Sequence, residues 1–318
     1  MPILFLGDLM PEALATWTSA LQAALGDAPI VTWTGDAASA PPPDVLAGVE
    51  VAVVANPRAG RLAHLPRLRF IQSAWAGVDS LLADATLPQV PLARLIDPQL
   101  SSDMAEAVLG HALLLHRQVP AYRAQQAAAQ WAPLPQPRLA ERRVGILGMG
   151  AMGQASATLL ARTGFAVIGW SRSGRGAVPG IAMESGVDGF DRVLARSDIL
   201  VNLLPLTAQT RGLLDARALA RLPRGAGLVN AGRGDHIVLP DLLAALDSGQ
   251  VSHAVLDVFA VEPLPPEDPL WRRADVTITP HVAAPTDPHS AARAMAANIA
   301  RWRAGQPVVG LVDRASGY

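Results

Sequence analysis

The stretch Val144-Gly145-Ile146-Leu147-Gly148-Met149-Gly150-Ala151-Met152-Gly153 constrains this chain more than any other. Four residues of buried-strand character run into Gly-x-Gly-x-x-Gly, and an alanine-rich helical stretch follows at once, with Gly164 as its C-cap. That order is what a dinucleotide-binding turn requires. The first glycine permits the tight turn, the second lets backbone approach a pyrophosphate, and the third lets helix pack close to strand. The helix N-terminus adds unpaired N–H groups and a partial positive charge. Gly148, Met149, Gly150, Ala151, Met152 and Gly153 are therefore the first cofactor-contact candidates. Taken alone, the motif also fits an ordinary strand–turn–helix.

A chain of 318 residues has room for two domains of common size. Half of it is apolar and 17% is charged, which indicates a globular protein. A net charge of −1 argues against a broad nucleic-acid surface. The absence of cysteine excludes disulfides and thiolate chemistry and is compatible with a reducing compartment; a cytoplasmic location is expected. Ile3–Leu6 is apolar, but Asp8 interrupts it and no basic segment precedes it, so it reads as a first strand and not a signal peptide. No uninterrupted apolar run approaches the ~18 residues of a membrane span.

Before the glycine turn, short apolar runs alternate with helical stretches. Ile3–Leu6, Val51–Ala55 and Leu68–Gln72 read as strands, and Pro11–Leu25 as a helix stopped by Gly26. Ser101 or Ser102 is expected to cap a helix running to about Arg117, and Pro120 to open another that reaches Trp131. Prolines 133, 135 and 137 then impose an extended connector. From Val144 strand candidates recur at 144–147, 166–170, 199–204, 228–230, 254–258 and 276–279, with helices between them, notably 240–248. A last helix is expected over 290–304. The pattern predicts an α/β protein of doubly wound parallel sheets.

The unusual residues gather just past the carboxyl ends of these strands, where open α/β sheets bind ligands. They are Gly148, Ser171-Arg172-Ser173, Pro205, Asn230-Ala231-Gly232-Arg233-Gly234, Asp257 and Pro280-His281. An NAD site usually carries Asp or Glu at the second strand's end; here Ser171, Arg172 and Ser173 supply hydroxyls and a guanidinium, which suit a 2′-phosphate. NADP(H) is the expected cofactor and NAD(H) the weaker alternative. Arg233 offers a planar fork for a carboxylate or a ketone oxygen. His281 has a candidate partner in Glu262, and a carboxylate beside an imidazole favours the protonated, proton-donating form. No cluster of His, Asp or Glu has metal-ligand spacing, so no metal is expected.

In order and spacing, Ala76-Gly77-Val78-Asp79, Asn230–Gly234, Asp257-Val258-Phe259 through Glu262-Pro263-Leu264-Pro265, and Thr279-Pro280-His281 resemble the D-2-hydroxyacid dehydrogenases. Trp170–Ser173, Leu203-Leu204-Pro205 and the tail Val312–Tyr318 are most similar to the bacterial glyoxylate/hydroxypyruvate reductase A branch of that family. The resemblance implies two Rossmann-like domains. A discontinuous, flavodoxin-like substrate domain would comprise residues 1–99 plus 286–318, and a dinucleotide-binding domain residues 100–285, with a helical dimerisation arm at about 101–140. It implies a homodimer, with Trp131 of the arm contributing to a substrate pocket.

The resemblance also implies roles. Arg233 binds the 2-oxoacid, His281 protonates its carbonyl oxygen, and Glu262 orients and charges His281. The loop Trp75, Ala76, Gly77, Val78 holds the substrate carboxylate through backbone N–H groups. Asp257 positions the nicotinamide carboxamide, and Leu204, Pro205 and Ala231 complete the cofactor site. Trp75 departs from the small or aliphatic residue expected before Ala-Gly-Val-Asp, which bears on substrate size. The expected reaction is NADPH-dependent reduction of glyoxylate to glycolate and hydroxypyruvate to D-glycerate. Reduction of a larger 2-oxoacid and non-catalytic NAD(P) sensing on the same fold are the alternatives.

Overall fold

The computed structural model describes residues 2–318. Its first elements are β1 (Ile3–Gly7), α1 (Pro11–Leu25), β2 (Ile30–Trp33), α2 (Pro43–Ala47), β3 (Val51–Ala55) and β4 (Phe70–Ser73). Next come α3 (Asp79–Leu82), β5 (Leu92–Ala93), α4 (Pro98–His116), α5 (Val119–Ala127), β6 (Arg143–Leu147) and α6 (Ala151–Thr163). The chain continues through β7 (Ala166–Ser171), β8 (Ala182–Ser185), α7 (Gly186–Ala195), β9 (Ile199–Asn202) and α8 (Ala216–Ala220). It ends with β10 (Ala226–Asn230), α9 (Leu239–Asp247), β11 (Val251–Leu256), β12 (Val276–Ile278) and α10 (Pro288–Arg303). Two compact units result: Met1–Gln99 with Thr286–Tyr318, and Leu100–Pro285.

The first unit holds a parallel five-stranded sheet in the order β2-β1-β3-β4-β5. Every residue of β1, β3 and β4 is buried, which is why these runs are almost wholly apolar and do not alternate. The one amide among them, Gln72, accepts a 3.0 Å hydrogen bond from Asn298 Nδ2 and so fastens α10 to β4. Ser290 Oγ similarly donates to Asp97 Oδ2 at 2.6 Å.

The second unit holds a parallel seven-stranded sheet in the order β12-β11-β10-β9-β6-β7-β8. Successive residues supply opposite faces. Leu147, Leu200, Leu228 and Leu256 enter one core, whereas Ile146, Val201, Val229 and Val255 enter the other. Because β6 lies between β7 and β9, strand order reverses there, and a crevice opens beyond the carboxyl ends.

The α/β architecture agrees with the sequence, while several boundaries move. Helix α4 starts at Pro98, not after Ser101 or Ser102, because Asp97 Oδ1 already accepts the Gln99 N–H at 3.0 Å. Helix α5 ends at Ala127 and does not reach Trp131, since Ala129 adopts φ +51°. Strand β9 stops at Asn202, not Leu204, where the Asn202 side chain takes the Leu204 N–H at 3.3 Å. Strand β8 escaped notice because it is a partly exposed edge with no apolar run.

Candidate active site

In the second unit the three turn glycines do three different things. Gly148 has φ +99°, and a Cβ there would lie 2.7 Å from the Leu203 carbonyl oxygen. A Cβ on Gly153 would lie 1.9 Å from the Gly148 carbonyl oxygen, so the third glycine lets α6 settle on the turn. A Cβ on Gly150 would meet nothing within 4 Å. The open side of the turn is thus at the residue that precedes Ala151, the first residue of α6. This cradle fits a pyrophosphate: a bare backbone approach, a helix N-terminus behind it, and no acidic side chain in the turn. Ala151 and Met152 form the first turn of that helix. The side chain of Met149, another of the cofactor-contact candidates, is core and only 3% exposed.

The segment after β7 folds back onto the same turn. A Cβ on Gly176, which has φ +92°, would fall 1.9 Å from the Met149 carbonyl oxygen. Ser171 Oγ donates to the Arg175 carbonyl at 2.7 Å, which closes the loop. Arg172 and Ser173 are exposed on it, and Arg172 Nη1 donates to Gln209 Oε1. Arg172 therefore stands in a segment held against the glycine turn.

His281 and Glu262 are hydrogen bonded, Nδ1 to Oε2, at 2.7 Å. Glu262 is itself fixed, since its Oε1 accepts the Phe259 N–H at 2.8 Å. His281 adopts φ +55°, a left-handed conformation that histidine tolerates better than most residues. Asp257 holds it there. The Asp257 carbonyl accepts the His281 N–H at 2.8 Å. Its carboxylate accepts from Thr279 Oγ1 at 2.6 Å, Val282 N–H at 2.9 Å and Ala283 N–H at 3.0 Å. Asp257 is buried, so much of its negative charge is spent on this bend. Burial pushes His111 of α4 below the ordinary histidine range, and the charge of Asp257 partly opposes that shift.

Arg233 follows β10 and is half-buried, with Ala231 buried before it. Its Nη1 donates to the Gly232 carbonyl at 2.7 Å. Beneath it lies a polar cluster made by Asn202, Asn230 and His236, all 0% exposed, of which the sequence singled out only Asn230. The signal was present: an asparagine ending an apolar strand, and a histidine three residues after the arginine. Leu204 is buried and Pro205 half-buried at the end of β9, with the Pro205 carbonyl accepting from Thr210 Oγ1 at 2.8 Å.

Trp75, Ala76, Gly77 and Val78 follow β4 in the first unit. The Trp75 N–H donates to Ser73 Oγ at 3.1 Å, and its ring meets Trp17 edge-on at 5.5 Å. Among the described residues, the backbone N–H groups of Ala76, Gly77 and Val78 have no hydrogen-bond partner within this unit. Trp131 lies beyond α5 and is 97% exposed. Among the described residues no group of His, Asp or Glu is arranged to hold a metal, and no helix is long and apolar enough to cross a membrane.

Known proteins share this fold. The sequence model of the D-isomer specific 2-hydroxyacid dehydrogenase NAD-binding domain matches residues 109–283. A D-isomer specific 2-hydroxyacid dehydrogenase from Xanthobacter autotrophicus Py2, solved with NADPH and MES, is 40% identical, with a TM-score of 0.93 over 100% of this chain and 99% of that one. An NADPH-dependent glyoxylate/hydroxypyruvate reductase from Sinorhizobium meliloti, solved with NADP and sulfate, is 39% identical, with a TM-score of 0.91 and coverage of 100% and 99%. A probable 2-hydroxyacid dehydrogenase from Rhizobium etli CFN 42, solved with NADP, HEPES and L(+)-tartaric acid, is 35% identical, with a TM-score of 0.90 and the same coverage. Motifs, fold and full-length similarity agree: this chain belongs to the D-isomer specific 2-hydroxyacid dehydrogenase family.

Proposed function

We propose that the protein reduces a small 2-oxoacid, glyoxylate or hydroxypyruvate, with NADPH. The 2.7 Å contact between His281 Nδ1 and Glu262 Oε2 carries this reading. It leaves Nε2 as the nitrogen that delivers a proton, and it pairs an imidazolium with a carboxylate while the proton waits. NADPH, when bound, supplies the hydride. Gly148, Gly150 and Gly153 with the start of α6 would hold the pyrophosphate, and the Ser171, Arg172 and Ser173 segment would hold the 2′-phosphate. The NADPH and NADP bound to the relatives from Xanthobacter, Sinorhizobium and Rhizobium support that choice over NAD(H).

Arg233 binds the 2-oxoacid through its guanidinium and draws negative charge onto the keto oxygen as it develops. The amides of Ala76, Gly77 and Val78 take the carboxylate, with Trp75 limiting the size of the acid. His281 Nε2 gives its proton to the carbonyl oxygen, an aldehyde oxygen in glyoxylate and a ketone oxygen in hydroxypyruvate, which together with the hydride that bound NADPH would supply yields the 2-hydroxyacid. Glu262 keeps the ring oriented through Nδ1, and Asp257 keeps residue 281 in its bend and would position the nicotinamide carboxamide. Leu204, Pro205 and Ala231 wall the cofactor groove. Two copies associate through the arm that carries Trp131, whose 97% exposure is unusual for a tryptophan in an isolated chain.

The reading is tested by following NADPH and NADH oxidation with glyoxylate, hydroxypyruvate, pyruvate, phenylpyruvate and 2-ketogluconate. The expected result is the highest kcat/KM for NADPH with the two small acids. Preference for phenylpyruvate or 2-ketogluconate overturns the substrate assignment, and absence of turnover with every acid overturns the catalytic one.

A further inference from the structure

We propose that His236 is the positioning residue for Arg233, acting as a neutral imidazole that accepts the Arg233 backbone N–H. The proposal rests on the reading of Arg233 as the 2-oxoacid-binding group. Nothing in the reaction itself requires a histidine at this place, and a fully buried imidazole with several polar contacts calls for a physical reason.

Proton positions in the cluster follow from one donor of fixed identity. A backbone N–H is always a donor, and that of Arg233 points at His236 Nδ1 across 3.1 Å. Nδ1 must then be unprotonated. Nε2 carries the hydrogen and faces the Pro205 carbonyl at 3.2 Å, an obligate acceptor. The Asn202 atom at 2.8 Å from Nδ1 has to be its amide nitrogen, since only a donor satisfies that contact. The same amide nitrogen donates to Asn230 Oδ1 at 2.8 Å, and Asn202 Oδ1 accepts the Leu204 N–H at 3.3 Å. Asn230 then presents its own amide nitrogen to the Arg233 carbonyl at 3.0 Å.

Arg233 is thus gripped at both ends of its backbone, by His236 at the N–H and by Asn230 at the carbonyl. Asn202 joins the two holders. Each contact specifies the next, and the cluster is buried at 0% exposure, where an amide or imidazole in any other orientation would leave a polar group unpaired. Gly232 makes room for it: a Cβ there would stand 3.0 Å from Asn202 Nδ2 and 3.1 Å from His236 Nδ1. Through Pro205 and Leu204 the cluster also ties the strand end that walls the cofactor groove to the residue that binds substrate.

Two near-isosteric substitutions separate the two jobs of the imidazole. In His236→Asn the amide oxygen replaces Nδ1, so the Arg233 N–H keeps its acceptor and the contact to Pro205 is lost. In His236→Gln the amide nitrogen replaces Nε2, so Pro205 keeps its donor and Arg233 loses its acceptor. The inference predicts that His236→Gln raises KM for glyoxylate about tenfold, with KM for NADPH within about twofold of the parent. His236→Asn should stay within about threefold for both. Combined with Arg233→Ala, His236→Gln should add nothing further to KM.

Equal effects of the two variants on KM for glyoxylate, or a His236→Gln effect that persists at full size without the Arg233 side chain, overturn the proposal. Should either variant fail to fold, nitrogen-detected NMR of the unsubstituted protein at pH 7.5 decides: the Nε2–H neutral tautomer of His236 supports the inference, and an Nδ1–H or doubly protonated ring overturns it. If Arg233→Ala alone leaves KM for glyoxylate unchanged, the underlying reading of Arg233 fails and the proposal falls with it. The Asn and Gln variants tell that outcome apart from failure of the His236 inference alone.

Discussion

Gly234 and Phe259 meet backbone to backbone: a Cβ on Gly234 would stand 2.0 Å from the Phe259 carbonyl carbon. Gly234 follows Arg233, and the Phe259 N–H holds Glu262, so this contact joins the substrate-binding turn to the segment that orients His281. Gly234 is not in the left-handed region, so the demand on it is steric and not conformational. Gly234→Ala should therefore force the two segments apart. The expected outcome is a stability loss of about 1–3 kcal/mol in chemical denaturation, together with near-complete loss of glyoxylate turnover. Unchanged stability and turnover would show that the two segments do not meet this way.

Glu262→Gln retains size and still accepts the Phe259 N–H, but it removes the charge that faces His281 Nδ1. We expect kcat for glyoxylate reduction to fall at least about tenfold, since an uncharged partner stabilises the proton donor less. The binding of NADPH, measured by fluorescence, should not change. A variant with parental kcat would assign Glu262 a purely structural role.

Arg172→Ala tests cofactor choice. Loss of one charge-assisted contact to the 2′-phosphate should raise KM for NADPH roughly ten- to a hundredfold. KM for NADH should move little, so the ratio of the two efficiencies is the informative quantity. Parallel changes for both cofactors would mean that Arg172 supports the loop and does not read the phosphate.

Most of the α/β scaffold was legible because buried parallel strands are nearly continuous apolar runs. Val51–Ala55 and Pro11–Leu25 have the same bounds in sequence and structure, and Gly26, at φ +63°, follows α1 as its stop. Boundaries slipped where a side chain took over from the ladder, as Asn202 does at the end of β9 and Asp97 does before α4. The pairing of Glu262 with His281 was readable from loop order after adjacent strands. Asn230 was readable as a strand-end residue, but its bonding with Asn202 and His236 was not, because that depends on which side chains of the β9 and β10 strand ends meet in the fold. Asp257 was read only as a cofactor contact, since its grip on Thr279, Val282 and Ala283 depends on a bend that no local pattern announces.

Stability should fall as pH drops below neutral. Burial lowers the pKa of His111 and of His253, whose Nε2 contacts Thr277 Oγ1 at 2.8 Å. The unfolded chain takes up these protons near pH 6.5 while the folded chain resists them. The stabilisation is present in full above that pH and is lost as pH falls through the lower, folded-state values. Each withheld proton contributes a slope of at most about 1.4 kcal/mol per pH unit. Urea midpoints should thus decline from pH 7 to pH 5, and His253→Gln should flatten the decline. A midpoint independent of pH over that range would contradict the burial of these rings.

The central claim is that His281 delivers the proton in 2-oxoacid reduction, and His281→Ala tests it most directly. Single-turnover oxidation of bound NADPH by saturating glyoxylate isolates the step from product release. The account predicts a rate about 10²–10⁴-fold below the parent with NADPH affinity unchanged. A rate within a factor of about three of the parent would contradict it.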